Sequence, residues 1–139
     1  KVGLVLGYNE ELAHLIQGGA DAVLVPSRFE PCGLTQLIGL RYGAVPVVAR
    51  TGGLADTIID ANVAALEAGA ATGIQFSPLS RLTLIEAIER AITLFSRPGV
   101  WAAIQRRGMK TDVSWEHSAR AYMGLYYRLL NEEIPARKA

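Results

Sequence analysis

Cysteine is nearly absent from these 139 residues, with Cys32 the sole example. An internal disulfide is therefore excluded, and a reducing, cytoplasmic setting is the simplest expectation. Long apolar runs are missing too. None approaches the roughly 20 residues of a membrane span, no signal-peptide pattern is visible, and no membrane partner is expected. Charge of one sign is also lacking, since 14 Lys+Arg against 13 Asp+Glu leave a net charge of +1. That balance lacks the basic excess of a nucleic-acid binder. With half the residues hydrophobic, it also excludes wholesale disorder. His14 and His117 have no Cys or His neighbour at ligand spacing, so neither a metal nor another cofactor is expected. No GxSxG elbow or Ser-His-Asp order points to a serine hydrolase.

What is present is a chain of single-domain size. Its charge is uneven. Residues 1–80 hold 4 basic and 7 acidic side chains, and residues 81–139 hold 10 and 6. The basic half is interrupted by Trp, Ala, Ile and Leu, which suits solvated helix faces rather than a cationic tail. The first residue is Lys1 and an apolar run follows at once. A piece of a longer protein is expected on that ground.

Short apolar runs at residues 2–7 (VGLVLG), 22–25 (AVLV) and 45–49 (VPVVA) predict strands buried on both faces, as in a parallel sheet. Residues 73–76 (GIQF) predict a fourth, shorter strand. Asn9 is placed to cap a helix that ends at Gly18-Gly19, and Gly43 to end one over residues 34–42. Residues 51–54 predict a tight glycine turn. Residues 83–95 predict a helix with Leu84, Ile85, Ile88, Ala91, Ile92 and Phe95 on one stripe. Pro98 opens the next helix, with Val100, Trp101 and Ile104 apolar. Ser114 caps the last, whose stripe includes Ala119, Tyr122, Leu125, Tyr126 and Leu129. Residues 61–71 are Ala-rich and fit helix or loop. Strand and helix alternate, so the expected fold class is α/β: a partial Rossmann-like parallel sheet with flanking helices. Residues 1–114 form the partial domain, 115–134 a C-terminal helix and 135–139 a frayed tail.

Ligands of open parallel sheets bind at the carboxyl ends of the strands. Three loops leave strand ends here, at residues 8–9, 27–33 and 50–56. The second runs Pro31-Cys32-Gly33-Leu34-Thr35 straight into a helix start. The first amides of a helix lack internal partners and carry partial positive charge, so Gly33, Leu34 and Thr35 suit a phosphate. A plain helix start with Thr35 in its first turn fits the same spacing. Glu30 is a carboxylate for sugar hydroxyls or developing positive charge, or else one half of a surface ion pair with Arg28. Cys32 lies near a helix N-terminus, where thiol pKa values fall, yet a small buried apolar residue is the preferred reading. Tyr8 suits either stacking on a base or filling a gap between helix and sheet. Gly52 and Gly53 admit a ligand or serve a turn. The Trp101/Trp115 and Tyr122/Tyr126/Tyr127 groups are read as packing.

Residues 26–36, Pro-Ser-Arg-Phe-Glu-Pro-Cys-Gly-Leu-Thr-Gln, closely resemble the signature of bacterial glycogen synthases and plant starch synthases, glycosyltransferase family 5. So do residues 42–48 (YGAVPVV), 51–57 (TGGLADT), Ser96-Arg97-Pro98, Ser114-Trp115 and Tyr126-Tyr127-Arg128-Leu129, in the same order. The resemblance implies the C-terminal, nucleotide-sugar-binding domain of a two-domain GT-B glucosyltransferase, without its N-terminal domain. It implies glucose transfer from ADP-glucose to the non-reducing end of an α-1,4-glucan (glycogen), with retention, release of ADP and no metal.

By residue, the resemblance implies that Glu30 positions the glucosyl group and stabilises an oxocarbenium-like transition state. Backbone at Cys32 and Gly33 would touch glucose hydroxyls, Leu34 and Thr35 amides would hold the diphosphate, and Tyr8 would stack on adenine. The second Glu of the family's Glu-x7-Glu pattern falls at Ile38, a departure. The family's diphosphate-neutralising Arg and Lys fall upstream of Lys1. The segment alone is therefore expected to bind nucleotide weakly without turnover, and to self-associate as a homo-oligomer. Competing readings are a glucosyltransferase that uses a UDP-sugar and a non-catalytic, flavodoxin-like nucleotide-binding module.

Overall fold

A computed structural model describes residues 1–130. Three parallel strands, β1 (Ala22–Val25), β2 (Val45–Ala49) and β3 (Ile74–Phe76), lie side by side in the order β1-β2-β3. Val25 pairs with Val48 and Ala49 with Phe76. Helix α1 (Glu10–Gly19) precedes β1, and α2 (Thr35–Tyr42) lies in the β1–β2 connection. Helices α3 (Gly52–Thr57) and α4 (Val63–Glu67) lie between β2 and β3. Helices α5 (Arg81–Phe95), α6 (Pro98–Lys110) and α7 (Trp115–Leu130) follow. This is the α/β parallel layer that the alternation predicts.

Strand β2 organises the interior, with all five residues buried. Successive side chains of a strand point to opposite faces. Val45, Val47 and Ala49 accordingly join Ile74, Phe76, Leu94, Trp101 and Ile104 in one core. Val48 joins Val25, Leu40, Leu54 and Ile58 in the other. Asp60 ties the second layer down: it accepts from the Gln75 amide at 2.7 Å and forms an ion pair with Arg90.

Caps explain the helix ends. Asn9 Oδ1 accepts from Leu12 N at 2.9 Å, as expected. Gly43 ends α2 in the left-handed region at φ 80°. Ser80 and Thr83 form a reciprocal capping box, so α5 begins at Arg81, two residues before the expected start. Asn62 Oδ1 accepts from Ala65 N and starts α4 inside the undecided segment at residues 61–71.

Four expectations are corrected. Residues 2–7 form no strand: Val2, Leu4 and Leu6 are at least 80% exposed, because no neighbouring strand takes up their backbone groups. Strand β1 is consequently the sheet edge, and only Val25 of its four residues is buried. The glycine turn at 51–54 is instead the start of α3. On α5 the fully buried positions are Ala87 and Leu94, whereas Ile85, Ile88, Ile92 and Phe95 are each 37–63% exposed. Part of the expected stripe overhangs an apolar groove of about 350 Å³ beside β1.

Helix α7 buries only Gly124, and Trp115 is 80% exposed, with Tyr122 and Tyr126 exposed as well. The packing reading thus holds for Trp101, which meets Phe95 edge-on at 5.3 Å, and not for those three residues. The end of the predicted C-terminal helix, residues 131–134, and the tail at 135–139 lie outside the described residues.

Two measurements check this account. Leu54 is fully buried, so Leu54→Ala is expected to cost about 2–5 kcal/mol in urea unfolding. The Ser114 amide and hydroxyl hydrogen-bond Asp112, with a further attraction to His117, and hold its carboxyl below the ordinary range. A depressed carboxyl stabilises above its unfolded pKa, about 3.9, and that contribution disappears as pH falls through the folded value. Carbon NMR should therefore find the Asp112 midpoint below about 3.9, and Asp112→Asn should abolish the acid-dependent shift of the Ser114 amide.

Candidate functional site

The loop at residues 27–33 leaves the carboxyl end of β1 and enters α2, the place where parallel sheets hold ligands. Its conformation is set from beneath by Gln36. This side chain is fully buried. Its Nε2 donates to Gly33 O at 2.9 Å, Cys32 O at 3.3 Å and Thr57 Oγ1 at 3.2 Å. Thr57 Oγ1 in turn donates to Gly53 O at 2.5 Å.

A trans peptide directs its C=O and the following N–H to opposite sides. Pinning the carbonyls of Cys32 and Gly33 toward Gln36 therefore turns the N–H groups of Gly33 and Leu34 the other way. Among the described residues, these two amides and that of Thr35 donate to no protein acceptor. Gly33 reaches this geometry at φ +72°, and a Cβ there would stand 2.5 Å from Gln36 Oε1. Adjacent outward amides at the start of a helix form a concavity for anionic or lone-pair oxygens.

The start of α3 presses against the same loop. Gly53 N donates to Glu30 O at 3.1 Å and Pro31 O at 3.2 Å. A Cβ on Gly53 would meet Cys32 O at 1.9 Å, and one on Gly52 would meet Glu30 O at 2.1 Å. The two glycines therefore allow contact between loop backbone and α3, and Gly52 also takes the positive φ, +43°, that suits the turn alternative.

Glu30 is half-buried and accepts from Ser27 Oγ at 3.1 Å. No ion pair with Arg28 forms among the described residues, so the carboxylate is held without a cation. Cys32 is exposed, against the expectation of a buried thiol, because the inward side of its peptide is taken by the Gln36 amide. Leu34 and Thr35 are exposed at the mouth of the turn, with Leu34 the N-cap and Thr35 in the first turn of α2.

Glu30, Cys32, Gly33, Leu34 and Thr35 thus share one turn. Among the described residues no hydrogen bond or ring contact joins Tyr8 to them. It is 91% exposed, and without a strand at residues 2–7 it loses its expected strand-end placement. His14 pairs with Tyr42, Nδ1 to hydroxyl at 3.2 Å. Gln36 and Thr57 end the two strings at residues 26–36 and 51–57, and the sequence reading gives them no role. The available signal was a glutamine on the inward side of a helix otherwise lined by Gly39 and Leu40.

No family model matches the chain. A glycogen synthase of Novosphingobium aromaticivorans is 62% identical over 133 residues, which are 96% of this chain and 27% of that protein. A glycogen synthase of Rhizobium rhizogenes is 63% identical over 131 residues, 94% of this chain and 27% of that protein. The catalytic domain of starch synthase IV from Arabidopsis thaliana, solved with ADP and acarbose, matches with a TM-score of 0.82 at 34% identity. That match covers 92% of this chain and 26% of the other. The chain is related to the glycogen and starch synthases. It spans about a quarter of the length of the curated relatives it matches. Sucrose-phosphate synthase from Thermosynechococcus elongatus shares the fold more distantly, with a TM-score of 0.64 at 25% identity over 91% of this chain and 30% of that one.

In this glycogen synthase relative the contact of Gly53 with the loop is open to direct test. Gly53→Ala is expected to cost roughly 1–3 kcal/mol in thermal unfolding. It should also move the amide resonances of residues 30–34 more than those of β2 in a nitrogen–proton NMR spectrum.

Proposed function

We propose that this chain supplies the nucleotide-sugar side of a retaining glucosyltransferase site. The donor is ADP-glucose and the acceptor is the non-reducing end of an α-1,4-glucan. The observation that carries the reading is the turn at Cys32–Leu34, where the Gly33 and Leu34 amides have no protein acceptor among the described residues and the Glu30 carboxylate has no cation partner. Identity of 62% to a glycogen synthase and the ADP in the starch synthase structure support both the reaction and the adenine nucleotide.

In this reading the amides of Leu34 and Thr35 hold the diphosphate at the positive end of α2. Backbone at Cys32 and Gly33 meets the glucose hydroxyls. Glu30 faces the sugar and stabilises positive charge that develops at its anomeric carbon as the bond to the diphosphate breaks. The glucan hydroxyl attacks from the same face that ADP leaves, which retains configuration. Tyr8 stacks on adenine once residues 2–7 are ordered beside β1. A second, N-terminal domain supplies the glucan face and the cations that neutralise the leaving diphosphate. One such lost donor costs roughly 2.7–4 kcal/mol of transition-state stabilisation, so the chain alone does not turn over, and without those cations it binds nucleotide weakly. The exposed stripe of α7 and the bare β1 edge favour self-association of the isolated chain. The reaction belongs in the cytoplasm.

A chimera tests the reading. This chain replaces its matching quarter of the Novosphingobium glycogen synthase. The chimera should extend glycogen from ADP-glucose, and Glu30→Gln should lower kcat by several orders of magnitude with a smaller effect on KM. An active Glu30→Gln chimera would overturn the role of that carboxylate. Light scattering of the isolated chain is expected to show a mass that rises with concentration.

A further inference from the structure

The Gln36 side chain is an expensive choice for its position. It is fully buried, and its Oε1 has no hydrogen-bond partner among the described residues. A buried acceptor without a partner destabilises a fold, so a glutamine here calls for a reason other than stability. The structure supplies one in the donor half of the same amide. Nε2 reaches two consecutive carbonyls, Cys32 O and Gly33 O, and is itself anchored to Thr57 on α3. An apolar side chain would fill the space and leave both peptides free to rotate.

We infer that Gln36 is a positioning residue that sets the ligand preference of the turn. By holding two carbonyls inward it presents only N–H donors to the ligand. An inverted peptide would instead present a carbonyl, which repels phosphate oxygens. Thr57 shares the task, because its hydroxyl accepts from Gln36 and donates to Gly53 O, fixing the amide plane. Resting on the donor reading proposed above, the inference assigns to Gln36 the affinity that the hexosyl group adds to ADP, through Cys32 O, together with a smaller share of the ADP affinity, through Gly33 O. The Gly33 amide is the one nearer the sugar and the Leu34 amide the one nearer the diphosphate.

The experiment is a nitrogen–proton NMR titration of the 139-residue chain with ADP and with ADP-glucose. The wild type is compared with Gln36→Leu, Thr57→Val and the conservative Thr57→Ser. The Trp101 indole resonance reports that each variant is folded. In the wild type, ADP-glucose should bind more tightly than ADP and shift the Gly33 and Leu34 amides. In Gln36→Leu and Thr57→Val the affinity for ADP-glucose should fall about tenfold or more, and the ratio to ADP should approach one. Thr57→Ser should restore the ratio to within twofold of the wild type, which general loosening of the fold would not produce. An unchanged ratio in folded Gln36→Leu and Thr57→Val, or a wild-type ratio of one with ADP still bound, overturns the inference and leaves the donor reading standing. If the wild type binds neither nucleotide, the donor reading falls. The ligand-free spectra then decide the role of Gln36. Unmoved Gly33 and Leu34 amides in folded Gln36→Leu refute it, and displaced ones with the β2 amides unchanged support it.

Discussion

A single side-chain amide governs the site. Gln36 Nε2 gathers Cys32 O, Gly33 O and Thr57 Oγ1, and thereby joins the loop after β1, the first turn of α2 and the helix after β2. Peptide planarity converts that inward pull into outward amides at Gly33 and Leu34. The same network makes small residues necessary at Gly33 and Gly53, since a Cβ at either would collide with the Gln36 side chain or the Cys32 carbonyl. The shape of the turn thus depends on a group that never reaches solvent.

The sheet supplies the platform. Strand β2 is buried from end to end and divides the interior into two cores. Residues 27–33 and α3 leave the carboxyl ends of β1 and β2, which are adjacent and parallel, and so they meet. Their meeting is sealed by the Gly53 amide on Glu30 O and Pro31 O. Glu30 is then left with Ser27 as its side-chain partner and keeps an uncompensated carboxylate beside the amide donors.

Away from β2 the packing thins. Strand β1 buries only Val25, the outer residues of the α5 stripe overhang a groove, and α7 lays an exposed aromatic and aliphatic face along its length. The first two surfaces have one physical origin. An amphipathic element buries its apolar side only where a second layer exists to receive it, and beyond the β1 edge no described strand provides that layer.

Much of this was legible in the amino-acid order. The runs at 22–25 and 45–49, the Asn9 cap and the Gly43 stop all reflect local chemistry, and local rules place them correctly. The turn that joins Glu30 to Thr35 was legible for the same reason, as residues adjacent in sequence at a strand-to-helix junction. Pairing and exposure were not. Residues 2–7 carry a strand's composition, yet strands exist only through a partner. Cys32 has a buried residue's chemistry, yet its peptide faces Gln36 and its thiol faces solvent. The Gln36–Thr57 bond spans 21 positions in the chain. Sequence by itself determined where β1 and β2 run, where α1 starts and α2 stops, and which loop is the candidate site, because those depend on neighbours a few residues apart. Only the tertiary structure decided which carbonyls turn inward and which apolar faces are covered, because those depend on groups brought together by folding.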